Sequence, residues 1–331
     1  MTQAKPLLSR VADSVYWMAR YIERAENVAR FVGVNIHLQL DLPLDPAAQW
    51  QSLVETSGDA AWFKKRCGEA SQAKVIEFLA FDGNNPNSIV SCVRAARENA
   101  RTVRETISSE MWEQVNSMYL LLQSRTGEVD AVELAEFFRR IRLAGHLFQG
   151  ITDTTMSHNE AWHFVSMGRM LERADKTSRI LDVKYFMLLP SLSYVGTPYD
   201  DIHWSAVLKS VSGFEMYRQR YGRIAPPQVA EFLVMDKEFP RSIRYCIGSA
   251  DESLHEITGV PAGSFRYRSE QMMGKLRAEL DFTSIESVLK TGLHEYLDGL
   301  QTRMNEIDNS VRDDFCLVEP ITQTQAQTAG V

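Results

Sequence analysis

The sequence contains no long apolar run and no block of charge of one sign. No stretch approaches the roughly 18 to 20 consecutive apolar residues that a membrane-spanning helix needs, and the N-terminal segment MTQAKPLLSRVADSVYW lacks the apolar core of a signal peptide. Acidic residues number 43 and basic residues 36, and because the net charge of -7 is spread along the chain, no basic stripe for nucleic acid is predicted. These absences predict a cytoplasmic protein with neither a membrane segment nor a nucleic-acid partner.

Glycine, proline and cysteine are also scarce. With 18 glycines and 11 prolines in 331 residues, turn-forming residues are too few for many short strands, and no apolar pattern of period two persists. The four cysteines stand singly, without the paired spacing of a metal site, which is typical of free thiols in a reducing compartment. The sequence therefore predicts an all-α protein built as a helical bundle.

Common enzyme motifs are missing as well. The sequence has no glycine-rich phosphate loop, no G-x-S-x-G turn and no H-E-x-x-H helix. We therefore predict no cofactor, and the pattern disfavours an autonomous enzyme.

What is present is an internal similarity. The segment MARYIERAENVARFVGV at 18–34 shares seven of 17 positions with MGRMLERADKTSRILDV at 167–183. The segment EFLAFDGNNPNSIVSC at 77–92 shares eight of 16 with EFLVMDKEFPRSIRYC at 231–246, and the two offsets, 149 and 154 residues, are nearly equal. Two matches in the same order predict two tandem copies of a helical unit of about 150 residues, related by a pseudo-two-fold axis.

The predicted copies are residues 1–157 and 158–318, which we expect to share one compact body. The polar segment 319–331 is expected to form a disordered tail. Pro86 and Pro240 are predicted in first helical turns, where a missing N–H is tolerated. Helical periodicity further predicts helices at 69–80, 110–125, 130–156, 226–235, 266–281 and 283–311.

An apolar stripe with spacings of three and four runs along the first helix of each predicted copy. Its members are Val15, Met18, Ile22, Ala25, Ala29, Val32 and Ile36 in the first copy and Phe164, Met167, Leu171, Ala174, Ser178, Leu181 and Tyr185 in the second. Small residues lie in the middle of both stripes. We therefore predict that the two helices approach each other closely, across the two-fold axis.

The same two helices carry matching charged residues beside the stripe. These are Arg20, Glu23, Arg24, Glu26 and Arg30 in the first and Arg169, Glu172, Arg173, Asp175 and Arg179 in the second. The pattern is compatible with a solvated salt-bridged face, a buried arginine–glutamate lattice, or a cleft that binds a carboxylate or phosphate. Recurrence at matching positions favours the last two, because a solvated face tolerates almost any polar residue, and of these the lattice is favoured over the cleft.

The segment HLFQGITDTTMSHNEAWHF at 146–164 is the second candidate site. Its polar cluster consists of His146, Gln149, Asp153, His158, Glu160 and His163. Glu160 with His163 and Glu252 with His255 form E-x-x-H steps, as in carboxylate-bridged metal sites of helix bundles. Because this pattern carries little information, and Ser157 with Glu160 also forms a capping box, we predict no metal and keep these E-x-x-H residues only as weak candidates.

Three segments resemble the bacterial alpha-E domain family over nearly the whole chain. They are LSRVADSVYWMARYIERAENVAR, SHNEAWHFVSMGRMLERADKTSRILDVKYF and VAEFLVMDKEFPRSIRYC, with the ERAE/ERAD helix, the TDTTMSHNEAWHF turn and the FPRS segment as the specific motifs. The resemblance implies an all-helical domain with characteristic glutamates, matched here by Glu23, Glu26, Glu160 and Glu172. In many members the position of His163 is arginine, which argues against an obligatory metal.

The resemblance also implies a functional setting. Genes of the family typically lie beside those of a circularly permuted ATP-grasp ligase and a transglutaminase-like cysteine peptidase, and some are fused to the ligase. We therefore expect an accessory component of a peptide-forming or peptide-modifying system, which recognises the ligase or a carboxylate-bearing peptide through its Arg/Glu clusters. Two alternatives stay open: a metal-dependent or acid–base enzyme using the 146–163 cluster with Glu23 or Glu172, and a purely structural module that forms homo-oligomers.

Overall fold

In a computed structural model, the structure describes residues 7–41, 46–123, 131–187 and 198–316. Within these ranges it contains fifteen α-helices, one π-helical turn and no strand, so the prediction of an all-α protein is confirmed. None of the described helices is both long and apolar enough to cross a bilayer. The predicted tail, 319–331, lies outside the described residues, and the two-copy arrangement stays a prediction.

The helices vary widely in length, and the two longest begin the two predicted copies. In chain order they are α1 (Ser9–Asp41), α2 (Pro46–Ser57), α3 (Ala60–Cys67), α4 (Gln72–Ile76), the π-helical turn (Glu77–Phe81), α5 (Ile89–Thr102), α6 (Ser109–Gln123), α7 (Ala131–Thr155), α8 (Glu160–Met187), α9 (Pro198–Ser210), α10 (Phe214–Tyr221), α11 (Pro226–Met235), α12 (Ile243–Thr258), α13 (Arg268–Phe282), α14 (Ile285–Thr291) and α15 (Leu293–Phe315).

Two sequence-based predictions of helix boundaries are wrong. Pro86 and Pro240 do not lie in first helical turns, because α5 and α12 begin three residues later, behind the N-cap serines Ser88 and Ser242. Each serine hydroxyl accepts a hydrogen bond from the backbone N–H three residues on, at 3.2 and 3.1 Å, and so satisfies a donor that the helix start leaves unpaired. The predicted helix 283–311 is broken at Gly292, whose φ of +115° favours glycine.

Helices α1 and α8 form the centre of the fold. They pack against each other, α1 also packs against α5 and α7, and α8 also packs against α12 and α15. Every described member of the two apolar stripes is buried, while the side chain of Tyr185 lies outside the described residues. A Cβ on Gly168 of α8 would lie 2.6 Å from the backbone oxygen of Tyr16 of α1, so the two long helices do meet closely, as predicted.

The outer helices enclose the charged faces of α1 and α8. Helices α5, α6 and α7 pack in succession on one side, and α12 packs on α13, which packs on α15, on the other. The short helix α2 packs on α8, and α9 packs on α1. The polar residues in the middle of α1 and α8 therefore lie inside the protein rather than on its surface.

Candidate functional site

A Glu-Arg step stands in the middle of each long helix, and each glutamate binds the arginine of the other helix. Arg24 donates to Glu172 through Nε and Nη2, at 2.7 and 2.9 Å. Arg173 donates to Glu23 through the same two nitrogens, at 2.9 Å each. Both glutamate side chains are buried, and bidentate guanidinium–carboxylate pairs are among the strongest hydrogen-bonded contacts in proteins. We call these four residues the interhelix network.

Further donors surround Glu23. Arg241, from the segment before α12, donates Nη1 to Oε1 at 3.0 Å, and Gln149 of α7 donates Nε2 to Oε2 at 2.9 Å. Asn27, one turn further along α1, donates Nδ2 to Oε1 at 3.0 Å. One carboxylate thus joins α1, α7, α8 and the segment that precedes α12.

Glu172 has fewer additional partners. Arg20 of α1 donates Nε at 3.0 Å, and Lys176 of α8 places its ammonium 3.7 Å from Oε1. Arg20 also contacts Asp308 of α15, and Arg24 donates Nη1 to Oδ1 of Asn87 at 2.7 Å. Among the described residues, this carboxylate is therefore held directly by α1 and α8 alone.

The charges of the interhelix network stabilise one another. Burial alone would raise the pKa of Glu23, but Arg173 and Arg241 outweigh it and hold that pKa well below its usual range. Burial would likewise raise the pKa of Glu172, and Arg24, Lys176 and Arg20 reverse the direction. Both carboxylates are therefore ionised over the ordinary pH range, and both are neutralised by the protein's own cations.

A second group of cations gathers around Glu26, one turn beyond Glu23. Glu26 contacts Arg30, accepts from Arg241 Nη2 at 3.1 Å and lies 3.1 Å from Nε2 of His146. Burial and the neighbouring Arg241 lower the pKa of Arg30, and burial lowers the pKa of Arg241 to about 10. Burial, Arg30 and Arg241 lower the pKa of His146 to about 4, so its imidazole is neutral near pH 7.

The remaining predicted charges of α8 contact α8 itself or α7. Arg179 donates Nε to Asp175 at 2.9 Å, one turn apart on the same helix. Arg169 lies 3.7 Å from Asp153, and its Nε is buried without a hydrogen-bond partner among the residues that the structure describes. A cavity of about 10 Å³ lined by Glu23, Gln149 and Arg169 lies there, which is room for about one water molecule.

The 146–163 cluster is split by the fold. His146 and Gln149 lie against α1 and join the contacts of Glu26 and Glu23. His158 instead stacks on Trp162, with 4.1 Å between ring centroids, and His163 meets the edge of the same indole at 5.0 Å. Its six members therefore do not form one site.

The predicted capping box at Ser157 and Glu160 is wrong. Asn159 caps α8 instead, because its Oδ1 accepts from the backbone N–H of Ala161 at 3.1 Å. Glu160 accepts from the backbone N–H of Leu7 at 3.1 Å and so attaches the segment before α1 to the start of α8.

The weak metal candidates are also apart. Glu252 is largely exposed and lies 3.9 Å from Arg277, whereas His255 faces Asp251, with Nε2 and Oδ1 separated by 3.7 Å. Across residues 7–41, 46–123, 131–187 and 198–316, no three His, Cys, Asp or Glu side chains form a group that could hold a metal ion.

Several residues of the buried contacts were not among the sequence candidates. Arg241 is the most important, because it bridges Glu23 and Glu26. It stands in the FPRS segment, and the first predicted copy has Asn87 at the matching position. This difference between the predicted copies is the signal that could have identified Arg241. Asp308, the partner of Arg20, lies in α15 without any distinguishing pattern.

A short arginine stripe lies outside the network, on the outer side of the first half. Arg94, Arg97 and Arg101 follow one face of α5, and Arg104 comes in the turn after it. These four arginines form a local cluster in a chain whose net charge is -7, while the prediction that the chain has no basic stripe for nucleic acid stays a prediction.

Comparisons with known proteins agree with the helical architecture. The Alpha-E family model, described as a predicted alpha-helical domain with a conserved ER motif, matches residues 7–316. Uncharacterized proteins of Mycobacterium bovis and Mycobacterium tuberculosis are 24% identical to the chain over 348 residues, which is 97% of this chain and 37% of each relative. The chain thus spans little more than a third of the length of the curated relatives that it matches. No solved structure matches the chain.

Proposed function

Since this chain belongs to the Alpha-E family, we propose that it is a helical binding component that acts together with a partner, an ATP-grasp ligase that forms amide bonds. The observation that carries this proposal is the length of the mycobacterial relatives. In them a region similar to 97% of this chain makes up only 37% of the polypeptide, so a helical unit of this kind is joined to a larger remainder. Covalent joining keeps two modules at high effective concentration, which is useful when they act on the same substrate.

In this proposal the interhelix network has a structural role and does not bind the partner. Its carboxylates and guanidiniums are buried and bind one another, so an incoming carboxylate would have to displace Glu23 or Glu172 from donors that hold them at 2.7 to 3.0 Å. We therefore assign these residues to holding α1 and α8 in one fixed arrangement, and we assign partner recognition to the outer surface.

The arginine stripe of α5 is the surface that best fits a partner protein. The Arg97 guanidinium lies over the ring of Tyr119 at 4.6 Å and donates Nε to Asn116 at 2.8 Å. The Arg104 guanidinium lies over the ring of Trp112 at 3.8 Å. Stacking on aromatic rings holds both charges in place before a partner arrives, which reduces the entropy lost on binding.

The stripe favours an acidic protein surface over nucleic acid. Four arginines are few for a phosphate backbone, and Glu98 lies among them, with its Oε2 2.7 Å from Nη2 of Arg101. In α12, 154 residues on, the matching positions are Gly248, Asp251, His255 and Thr258. The partner would therefore approach the first half of the chain only.

Binding to the purified ATP-grasp protein tests the proposal. Size-exclusion chromatography with light scattering should show a heterocomplex, and ATP turnover by the ligase should change when the chain is added. Arg101→Glu with Arg104→Glu should weaken the complex by about tenfold or more, because charge reversal places like charges against the acidic surface.

A matched control is available on α7. Arg139 resembles Arg101, since it is exposed and pairs with a glutamate three residues earlier, at 2.6 Å. Arg139→Glu should leave the complex unchanged. Absence of any complex together with unchanged ligase turnover would overturn the proposal, and binding of duplex DNA or RNA in place of the ligase would overturn the assignment of the stripe to a protein.

A further inference from the structure

A cavity of about 420 Å³ lies far from the interhelix network along the chain, between α12, the segment 259–267 and α13. This volume is within the range of small-molecule sites. Asp251 and His255 of α12 line it together with Glu270, Gly274 and Arg277 of α13. None of these residues takes part in the contacts of Glu23, Glu26 or Glu172.

One carboxylate oxygen at this cavity has no hydrogen-bond donor among the described residues. Arg277 donates to Oδ2 of Asp251 at 2.7 Å, whereas Oδ1 of Asp251 is buried without such a partner in the part of the chain that the structure describes. His255 donates Nδ1–H to the carbonyl oxygen of Val260 at 2.8 Å, and its other ring nitrogen, Nε2, faces Oδ1 of Asp251 at 3.7 Å, beyond hydrogen-bond distance. Burying an unpaired carboxylate oxygen is costly, so Oδ1 of Asp251 calls for a donor.

The wall of the cavity is shaped by a glycine inside a helix. Gly274 lies in the middle of α13, where glycine costs about 0.5–1 kcal/mol relative to alanine. A Cβ built on Gly274 would meet nothing within 4 Å, so no close helix contact requires the glycine. Its effect is to leave open the space that a side chain would fill.

The rim of the cavity is aromatic and the lining carries an excess of carboxylates. Phe265 is 58% exposed and Phe282 is 92% exposed, which is unusual for phenylalanine. The lining carboxylates are Asp251, Glu270 and Asp281, against the cations Lys275 and Arg277. An ammonium group suits this composition, because it donates hydrogen bonds, carries the complementary charge and is attracted to aromatic faces.

We propose that this cavity binds a small molecule in which a primary ammonium group adjoins an aromatic or apolar portion. The ammonium supplies the donor that Oδ1 of Asp251 lacks, and the apolar portion lies against Phe265 and Phe282. The site belongs to the second half alone, since Arg97 and Arg101 stand at the matching positions 154 residues earlier. The proposal is independent of the ligase partner.

Titration with phenethylamine tests the site. Ligand-observed NMR should show saturable binding of phenethylamine that is at least about tenfold tighter than binding of 2-phenylethanol, which has no charge, or of 3-phenylpropionate, which has the opposite charge. Asp251→Asn should reduce the affinity by about tenfold or more, because it removes the carboxylate charge while keeping the shape.

A pair of glycine variants keeps the test decisive if Asp251→Asn destabilises the fold by freeing Arg277. Gly274→Leu should abolish binding by filling the cavity. Gly248→Leu is the matched control, since Gly248 also lies inside a helix, α12, with nothing within 4 Å of its Cβ position and does not line the cavity. Equal binding of the alcohol and the amine, no saturable binding of the amine, or unchanged binding in Gly274→Leu would each overturn the proposal.

Discussion

Glu23 and Glu172 occupy matching places in α1 and α8, and each receives a bidentate arginine from the other helix. Their surroundings nevertheless differ. Glu23 is also bound by α7 and by Arg241 from the segment before α12, whereas the partners of Glu172 in the described part of the chain belong to α1 and α8. The bidentate pairs, which both centres share, join the two long helices. The additional partners of Glu23 attach α7 and the segment before α12 to α1.

The difference has an origin in the sequence. Arg241 stands where the first predicted copy has Asn87, and the two side chains do different things. Arg241 reaches Glu23 and Glu26 on α1, whereas Asn87 accepts from Arg24 and donates to Asp59 at 3.0 Å. The Glu23 centre therefore joins more elements of the fold than the Glu172 centre.

Truncating either glutamate should have the largest effect on stability. Glu172→Ala removes a buried acceptor of Arg20, Arg24 and Lys176, and Glu23→Ala removes a buried acceptor of Arg173 and Arg241. We expect each to lower the free energy of unfolding by about 3–5 kcal/mol, with Glu23→Ala the larger, because it releases donors from more elements. Urea denaturation followed by circular dichroism measures both.

An exposed glutamate provides the control for this pair. The Glu98 side chain is 48% exposed and pairs with Arg101, so Glu98→Ala should cost less than about 1 kcal/mol. A buried glutamate variant that unfolds at the same urea concentration as Glu98→Ala would show that the interhelix network does not hold α1 and α8 together.

Gly168→Ala tests the close approach of the two long helices, α1 and α8. Its Cβ would lie 2.6 Å from the backbone oxygen of Tyr16, which cannot move without shifting α1. We expect a loss of about 1–3 kcal/mol, measured as a lower melting temperature. Gly248→Ala is the control and should instead gain about 0.5–1 kcal/mol, because it has open space and alanine favours helix. A stabilising Gly168→Ala would contradict the observed packing.

The sequence predicted the two long helices and their charged partners because both depend on local patterns. Spacings of three and four place apolar residues on one face of a helix whatever it packs against, and the recurrence of Glu-Arg marked the side chains that need defined partners. Which arginine binds which glutamate could not be predicted, since α1 and α8 are about 150 residues apart in the chain. The reciprocal pairing of their arginines and glutamates is set by tertiary packing.

The prediction of one site in the 146–163 segment was wrong for the same reason. Its histidines are close in sequence, but Asn159 starts a new helix between them and separates His146 from His163. The boundary was misplaced by two residues because Ser157 and Asn159 are both good N-cap residues and only the backbone decides between them. The sequence did not predict the cavity at Asp251 and His255, although His255 belongs to the E-x-x-H pattern that begins at Glu252.

Removing Asn87 should have a smaller effect, through its contacts with Arg24 and with Asp59. Asn87→Ala takes one acceptor from Arg24, whose side chain is 15% exposed, so water can replace part of the lost hydrogen bond. We expect a loss of about 1 kcal/mol in the free energy of unfolding. Asn84→Ala, in the same loop but with its side chain directed to Asp82, should be nearly neutral. An equal loss in the two variants would show that the Arg24 contact is not the cause.

The smallest effect should come from the titration of His146, which lies beside Arg30 and Arg241. Burial and Arg30 lower its pKa from 6.5 to about 4, so on acidification the unfolded chain binds a proton before the folded chain does. The stability is therefore complete above about pH 6.5 and falls as the pH drops towards 4, weakly, because nearly half of the side chain is exposed. His146→Asn should reduce the slope in this window, where His163, whose pKa burial also lowers, contributes the rest. Replacement of His158, which stacks on Trp162, should leave the contribution of His146 in place. A slope that is unchanged in His146→Asn would place the titrating group elsewhere.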